Sequence, residues 1–329
     1  MHKHYYLLII WIINTFKIFM QKTQKKFIIC LFSISTILVS AYAMANLYEI
    51  PKNGSRLIGQ YESYKVKSGD YFNSIAHFYN IGFLALMNAN PGIDPLFIPV
   101  GSKLQIPIRM ILPDVPYQGI VINLPEFRMY YFPKNSNEVY VFAVGIGREG
   151  RETPTMQSRI KSKIKNPSWT PNARIRADHL KKQGETLPLV VPPGKDNPLG
   201  DYALQLEYGA NNYWIHGTNQ NFGIGMRVSA GCIRMYPDDI DWLFHQISKN
   251  EKVTIINQPI KIATEPNGDN ILEVHSPLST KKNPSPNLNI LNSLAELKIL
   301  EMDNQNKIDH DKLKKALRLH QGIPVNINI

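Results

Sequence analysis

The chain has 329 residues, 43% of them hydrophobic and 19% charged. That balance excludes a disordered, collagen-like or polytopic membrane protein and leaves room for two or three domains, each with a buried core. The formal net charge is +11, but residues 1–45 hold Lys3, Lys17, Lys22, Lys25 and Lys26 and no Arg, Asp or Glu, so removing those five leaves +6 on the remainder. The remaining cations are dispersed, which gives no support to a nucleic-acid partner and suits an anionic polymer such as cell-wall material.

Residues 21–26 form a short basic region, 27–40 an apolar run of secretory length, and Ala43-Met44-Ala45 offers small residues at the two positions a signal peptidase reads. We read 1–45 as a signal peptide removed on export. A signal does not need the earlier apolar run at 5–13, so Met20 is favoured as the true start over an extended leader. A membrane anchor is the competing reading, disfavoured because the main run is shorter than the roughly 20 residues a bilayer requires. Cys30 leaves with the signal, so the exported chain keeps one cysteine, Cys232. A lone thiol in an oxidising compartment is either buried and inert or kept for chemistry.

Residues 46–61 read as a polar lead-in. Tyr64-Lys65-Val66-Lys67-Ser68-Gly69-Asp70 predicts a strand and turn, and Phe72, Ile75, Ala76 and Tyr79 fall at helical spacing. A second helix is expected over 83–89, ending at Asn90-Pro91-Gly92, and Leu104-Gln105-Ile106-Pro107 closes the unit as a strand. Over 62–108 this βααβ pattern resembles a LysM domain, although Tyr71 stands where that family usually has Thr. The resemblance implies binding of N-acetylglucosamine-containing glycan strands, with Gly69, Asp70 and Asn90 as the candidate contacts.

From residue 119 the pattern changes to period-two alternation, over 119–124, 128–132 and 139–144, which predicts antiparallel hairpins. After a strand over 159–165, the seven prolines within 151–200 predict a long loop, of the kind that often covers a site. Strands are expected at 203–206 and 213–216, and a helix over 237–248 with Pro237 in its first turn, Asp238 and Asp239 favourable to its dipole, and Ile240, Leu243, Phe244 and Ile247 on one stripe. Strands at 253–257 and 271–274 then finish a mostly β domain. Residues 279–289 read as a linker, followed by a helical extension over 290–329 with helices at 290–302 and 309–320.

Gly145-Ile146-Gly147-Arg148-Glu149-Gly150 fits the dinucleotide string G-x-G-x-x-G and follows a strand. The last glycine should open a helix that receives the pyrophosphate, yet Thr153-Pro154 follows at once, and no acidic residue stands about 20 positions on to hold a ribose. It is therefore a glycine-rich turn, and no cofactor is expected. No metal is expected either: beyond the leader the His residues show no H-x-x-x-H or H-x-H spacing, and Cys232 has no cysteine partner.

What stands out is His216-Gly217-Thr218 at a strand end and Ser229-Ala230-Gly231-Cys232-Ile233-Arg234 shortly after it. A thiol is only slightly ionised at neutral pH, and a neighbouring imidazole that takes its proton removes that limit. Gly231 lets the backbone approach a substrate carbonyl, so its amide and that of Cys232 are candidates for an oxyanion hole.

Residues 216–234 resemble the signature of the L,D-transpeptidases. The similarity runs from 120 to about 278, through Asn123-Leu124-Pro125-Glu126, Val144 to Gly150, Asp196-Asn197-Pro198-Leu199-Gly200 and Ile215 to Asn219. It implies a mostly β (α+β), β-sandwich-like catalytic domain over 117–278, preceded by the LysM unit and followed by the C-terminal helices. It also implies a periplasmic enzyme whose Cys232 takes an acyl group from a peptidoglycan stem peptide. The acceptor is another stem, or an outer-membrane lipoprotein or barrel protein.

By the same resemblance His216 is the base, Gly217 orients it through its carbonyl, Ser229 fixes the turn, and Arg234 either steers a substrate carboxylate or makes a structural salt bridge. Two positions depart from the family: Ala230 stands where His is usual, and Met156 where Gly is common. A cysteine hydrolase, a wall-binding protein with an inactive catalytic domain and an unrelated cysteine protease are the competing readings.

Overall fold

The computed structural model describes residues 46–329 except 210–212, 281, 284–285, 302 and 304–306; the segment expected to be a signal peptide, with Met20 and Cys30, lies outside the described residues. The lead-in carries two short strands, β1 (Asn46–Glu49) and β2 (Leu57–Ile58). Then come β3 (Glu62–Lys65), α1 (Phe72–Phe78), α2 (Phe83–Ala89) and β4 (Lys103–Ile106), with β3 antiparallel to β4. Val66, Phe72, Ile75, Leu86, Leu104 and Ile106 make the core of this unit. At the start of α1, the Tyr71 amide donates to Ser74 Oγ (3.2 Å), while the Tyr71 side chain does not cap the first helical amides as a Thr there would.

β5 (Met110–Ile111) leads into the central sheet, built from β6 (Gly119–Asn123), β7 (Arg128–Phe132), β8 (Glu138–Ala143), β10 (Met156–Lys165), β11 (Tyr202–Leu206), β12 (Trp214–His216), β14 (Ile233–Arg234) and β15 (Lys252–Ile256). A separate pair joins β9 (Ile146–Gly147) to β13 (Arg227–Ser229), and α4 (Pro237–Gln246) follows β14. The nine strands run in the order β1-β8-β7-β6-β15-β10-β11-β12-β14, with parallel pairs at β6/β15 and β12/β14 and antiparallel pairs elsewhere.

All five residues of β6 and of β7 are buried, so both faces of these strands are covered. Ile120, Ile122, Met129 and Tyr131 enter the core shared with Ile240 and Leu243 of α4. Val121, Tyr130 and Phe132 enter a second core with Ile58, Met110 and Leu112. The lead-in is thus structural, because β1 pairs with β8 and the β2/β5 pair helps to cover the second face.

Two further expectations are corrected. The long loop expected within residues 151–200 is interrupted: β10 starts at Met156, ahead of the expected 159, and α3 (Ala173–Gln183) lies within the proline-rich stretch. The helix has no buried residue, so no apolar stripe announced it. Its caps were readable, since Asn172 Oδ1 accepts from the Ile175 amide (2.9 Å) and Gly184 closes the end at φ 76°.

The 271–274 strand does not finish the catalytic sheet. As β17 (Asn270–Val274) it pairs with β16 (Ile260–Thr264) and with β18 (Val325–Asn326), and its Leu272 and Val274 pack with residues of α5 (Leu288–Glu301) and α6 (His310–Leu319). The C-terminal helices are therefore half of an α/β unit that also takes in residues 260–274. The polar composition of 279–289 suggested a boundary there, but strand pairing crosses it.

The βααβ unit docks on the catalytic sheet through backbone contacts. The Phe83 and Leu84 amides donate to the carbonyls of Ile224 and Gly225 (3.4 and 3.3 Å), and a Cβ on Gly225 would lie 2.0 Å from Gly82 Cα. Beside this seam, buried Asn80 donates to both oxygens of buried Asp239 (2.9 Å each) and accepts from the Ala143 amide (3.2 Å).

Burial pushes the Asp239 carboxyl up to about 8, against the pull of the Asn80 hydrogen bonds. The native state therefore keeps a proton that the unfolded chain releases near pH 4, so this contribution to stability is full in acid and is lost as pH rises towards 8. Asp239→Asn sets an amide nitrogen against the Asn80 donor at either pH, but it removes the titration, so its stability relative to the parent is expected to be about 2–4 kcal/mol more favourable at pH 8 than at pH 4. Thermal melts at the two pH values check this, and equal shifts at both would contradict it.

Candidate active site

His216 ends β12 and Cys232 immediately precedes β14. These strands are parallel neighbours, with Ile215 opposite Ile233 and His216 opposite Arg234. Side chains alternate along a strand, so His216, Arg234 and Cys232, two residues before Arg234, belong to one face of the sheet edge. The backbone of Trp214, level with Cys232 by extension of that register, donates a hydrogen bond towards the sulfur.

The turn before the cysteine is held from several sides. Ser229 Oγ donates to the Cys232 carbonyl (2.5 Å) and accepts from the Gly231 amide (3.1 Å). Thr153 Oγ1 donates to the Gly231 carbonyl (2.8 Å) and accepts from the Gly147 amide (2.9 Å). Gly231 itself sits at φ 113°, where a Cβ would come within 3.1 Å of the Tyr213 ring, so this position requires glycine. The Gly231 amide is already engaged by Ser229, which corrects its reading as an oxyanion donor. Ala230 is exposed, and Met156 is buried opposite Ile255 at the start of β10.

His216 is buried, and its Nδ1 lies 2.6 Å from the Gly217 carbonyl oxygen. A carbonyl can only accept, so Nδ1 carries the proton and Nε2 is left as the basic atom. Burial, with the Arg234 guanidinium adding to it, pushes the imidazole down to about 4 against the carbonyls of Gly217 and Leu199. Burial likewise pushes the Cys232 thiol up, against the Trp214 hydrogen bond and the Arg234 charge. Both directions favour the neutral thiol and the neutral imidazole over the ion pair suggested by the motif. Arg234 forms no ion pair among the described residues, and its buried Nε has no hydrogen-bond partner.

Asn197 ties together the long segment after β10. Its Nδ2 donates to the Pro167 carbonyl (2.7 Å) and its Oδ1 accepts from the Leu199 amide (2.9 Å), which sets the Leu199 carbonyl against the His216 ring. Asn197 and Thr153 are positioning residues that motif reading did not single out. Asn197 stood in a quoted motif, but nothing local in the sequence reveals what either side chain holds.

Residues 117–255 match the YkuD family, described as the L,D-transpeptidase catalytic domain; 259–327 match the L,D-transpeptidase C-terminal domain, and 64–107 the LysM domain. The chain is 46% identical over 290 residues to "Probable L,D-transpeptidase YcfS" of Escherichia coli (strain K12), covering 87% of this chain and 89% of that protein. It is 41% identical over 306 residues to "Probable L,D-transpeptidase ErfK/SrfK" of the same strain, covering 92% and 96%. The catalytic domain of an Enterococcus faecium L,D-transpeptidase, solved by NMR, aligns at 17% identity and a TM-score of 0.32 over 44% of this chain and 100% of that one. The chain belongs to the L,D-transpeptidase family.

In this transpeptidase the glycan-contact candidates of the LysM domain divide. Asn90 is buried and engaged within the fold: Nδ2 donates to the carbonyls of Leu86 and Gln105 (2.8 and 2.9 Å), and Oδ1 accepts from the Gln105 amide (2.7 Å). That corrects its assignment as a glycan contact. Asp70 Oδ2 closes a turn by accepting from Tyr64 Oη and the Lys67 amide (2.9 and 2.7 Å), while Gly69 is exposed with open space beside it.

Away from the cysteine, Glu126, Glu273 and His275 form the one group of metal-ligating type among the described residues. Lys261 Nζ lies 2.9 and 3.1 Å from the two carboxylates, and Arg128 Nη1 is 3.0 Å from each. The transpeptidase thus neutralises that cluster with its own cations.

The preference for the neutral thiol has a measurable consequence. Alkylation of Cys232 by an uncharged reagent, followed by mass spectrometry from about pH 5 to pH 10, is expected to keep accelerating with pH beyond the ordinary thiol pKa of about 8.5 and to level off only above it. A rate already at its plateau near pH 6 would indicate a preformed thiolate.

Proposed function

We propose that this transpeptidase is exported to the cell envelope, its 1–45 segment serving as the signal, and that Cys232 transfers acyl groups between peptidoglycan stem peptides. The sulfur attacks the carbonyl of the third residue of a tetrapeptide stem while His216 Nε2 takes its proton. The tetrahedral intermediate collapses with cleavage of the peptide bond, and D-Ala leaves as its amine after receiving that proton from His216. A thioester remains on Cys232. An acceptor amine then attacks the thioester, His216 removes its proton, and the regenerated thiol recovers one. The product is a 3-3 cross-link when the amine belongs to another stem, or a peptidoglycan-linked envelope protein when it belongs to a lysine. The LysM domain keeps the enzyme on glycan strands.

The observation that carries this reading is the β12/β14 register, which brings His216 and Cys232 to one sheet edge. Muropeptides offer the test. With a tetrapeptide-bearing muropeptide alone, a thioester on Cys232 and free D-Ala are expected; adding an amine acceptor should give a joined product of matching mass. Cleaved but unjoined product despite abundant acceptor would make the protein a hydrolase, and no D-Ala release would leave a wall-binding protein.

A further inference from the structure

Helix α3 and residues 148–151 face each other across a cavity of about 400 Å³ lined by Arg148, Arg151, Arg174, Lys181, Lys182 and Asp178. With Glu149 at its edge, the cavity holds five cations against two carboxylates, a surplus of three. Glu149 is bonded outward, its Oε2 accepting from Ser279 Oγ (2.8 Å). Asp178 is therefore the carboxylate that meets the arginines: Oδ2 takes Arg151 Nη2 at 2.6 Å and Arg148 Nη2 at 3.1 Å. The Arg151 hydrogen bond, with the charges of Arg151, Arg148 and Arg174, holds its carboxyl below the usual range.

Two features connect this cavity to catalysis. The Arg148 amide donates to the Ser229 carbonyl (3.0 Å), and a Cβ on Gly231 would lie 3.7 Å from the Arg151 carbonyl oxygen, so the arginines stand on the chain that backs the Cys232 turn. On the other side, α3 buries nothing, and Arg174, Asp178, Lys181 and Lys182 lie three, four or one residue apart along it, so they share its inner side. A helix with no fully buried residue, carrying a carboxylate that pairs with two guanidinium groups, is suited to exchange. Another carboxylate entering the cavity meets the same paired donors and finds a surplus of positive charge already in place.

We propose that this cavity is a carboxylate subsite of the transferase, occupied by Asp178 until a carboxylate of the substrate displaces it. The proposal rests on the acyl-transfer reading above. The carboxylate belongs either to the donor stem or to the amine acceptor, and the test separates the two.

The full chain carrying Cys232→Ala, which cannot turn over, is titrated calorimetrically with a tetrapeptide stem and, separately, with an amine acceptor, each as the free acid and as the fully amidated form. One free acid is expected to bind about tenfold more tightly than its amide, a difference that shrinks with added salt. That ligand identifies the source. Adding Asp178→Asn removes the internal competitor and should tighten binding of that acid several-fold while leaving its amide unchanged. Adding Arg151→Gln with Lys181→Gln should erase the difference. If α3 were only a structural element, Asp178→Asn would weaken both forms or change neither.

Acid and amide binding equally in both ligand series overturns the subsite, and so does a failure of Asp178→Asn to favour the acid. The wild-type enzyme keeps the two questions apart. Transfer without any acid preference in binding removes the subsite and leaves the reaction, whereas acid preference without D-Ala release keeps the subsite and removes the transfer reading.

Discussion

Cys232→Ala is expected to abolish D-Ala release, the mass adduct on the protein and the joined product, a loss on the order of 10⁴-fold or more, while the melting temperature stays within about 2 °C of the parent. The expectation of an intact fold comes from the turn. Ser229 and Thr153 grip backbone atoms of Gly231 and Cys232 and make no contact that needs the sulfur. The expectation of a complete loss comes from His216, whose basic Nε2 has no other nucleophile in its motif to activate: Ser229 Oγ is already bonded to the Cys232 carbonyl and the Gly231 amide. A carbapenem gives a second readout, since an acyl adduct on the parent and none on the variant locates the acylated atom. Residual transfer above a tenth of the parent rate would move the nucleophile elsewhere.

The parts of this site that the sequence made legible are those set by neighbours in the chain. The Pro237 start of α4 and the helical spacing of Phe72, Ile75 and Ala76 act within a few residues of themselves, and both read correctly as local chemistry. The parts that were hidden depend on partners far along the chain. Thr153 reaches the Gly231 carbonyl across 78 positions, and Asn197 reaches Pro167 across 30. Neither bond leaves a periodicity or a spacing behind. The same reason hid β1, whose partner β8 lies beyond the whole LysM unit, and the membership of β17 in the C-terminal unit. Helix α3 was hidden for the opposite reason, because it touches too little of the protein to need an apolar face. The direction of the two shifts was hidden as well: a Cys and His motif suggests an ion pair, whereas the surroundings in the fold favour the neutral form of each group.

The second large effect is expected far from the cysteine, at Lys261. Glu126 follows β6 in the catalytic domain and Glu273 lies on β17 of the C-terminal unit; both are buried, and Lys261 Nζ bridges them while also donating to the Ile111 carbonyl. Burial alone would push both carboxyls up. The Lys261 ammonium overrides that penalty and, with the His275 ring and the Arg128 guanidinium, holds both below the usual carboxylate range.

Lys261→Met removes one of the two bridging cations and leaves two buried carboxylates sharing Arg128, with an expected loss of about 3–5 kcal/mol of stability. Because both carboxyl pKa values are depressed in the folded state, the stability they contribute is present above about pH 4.5 and is lost as pH falls through the depressed values. Without Lys261 those values rise, so acid unfolding should begin about one pH unit higher than in the parent.

Urea denaturation at pH 7 and acid titration followed by circular dichroism check both effects. The companion variant Lys261→Met with Glu273→Gln, which deletes a charge of each sign, should recover part of the loss, a coupling that a double-mutant cycle measures directly. Equal destabilisation in the single and double variants would mean that the Lys261 stem, and not its charge, holds the two units together.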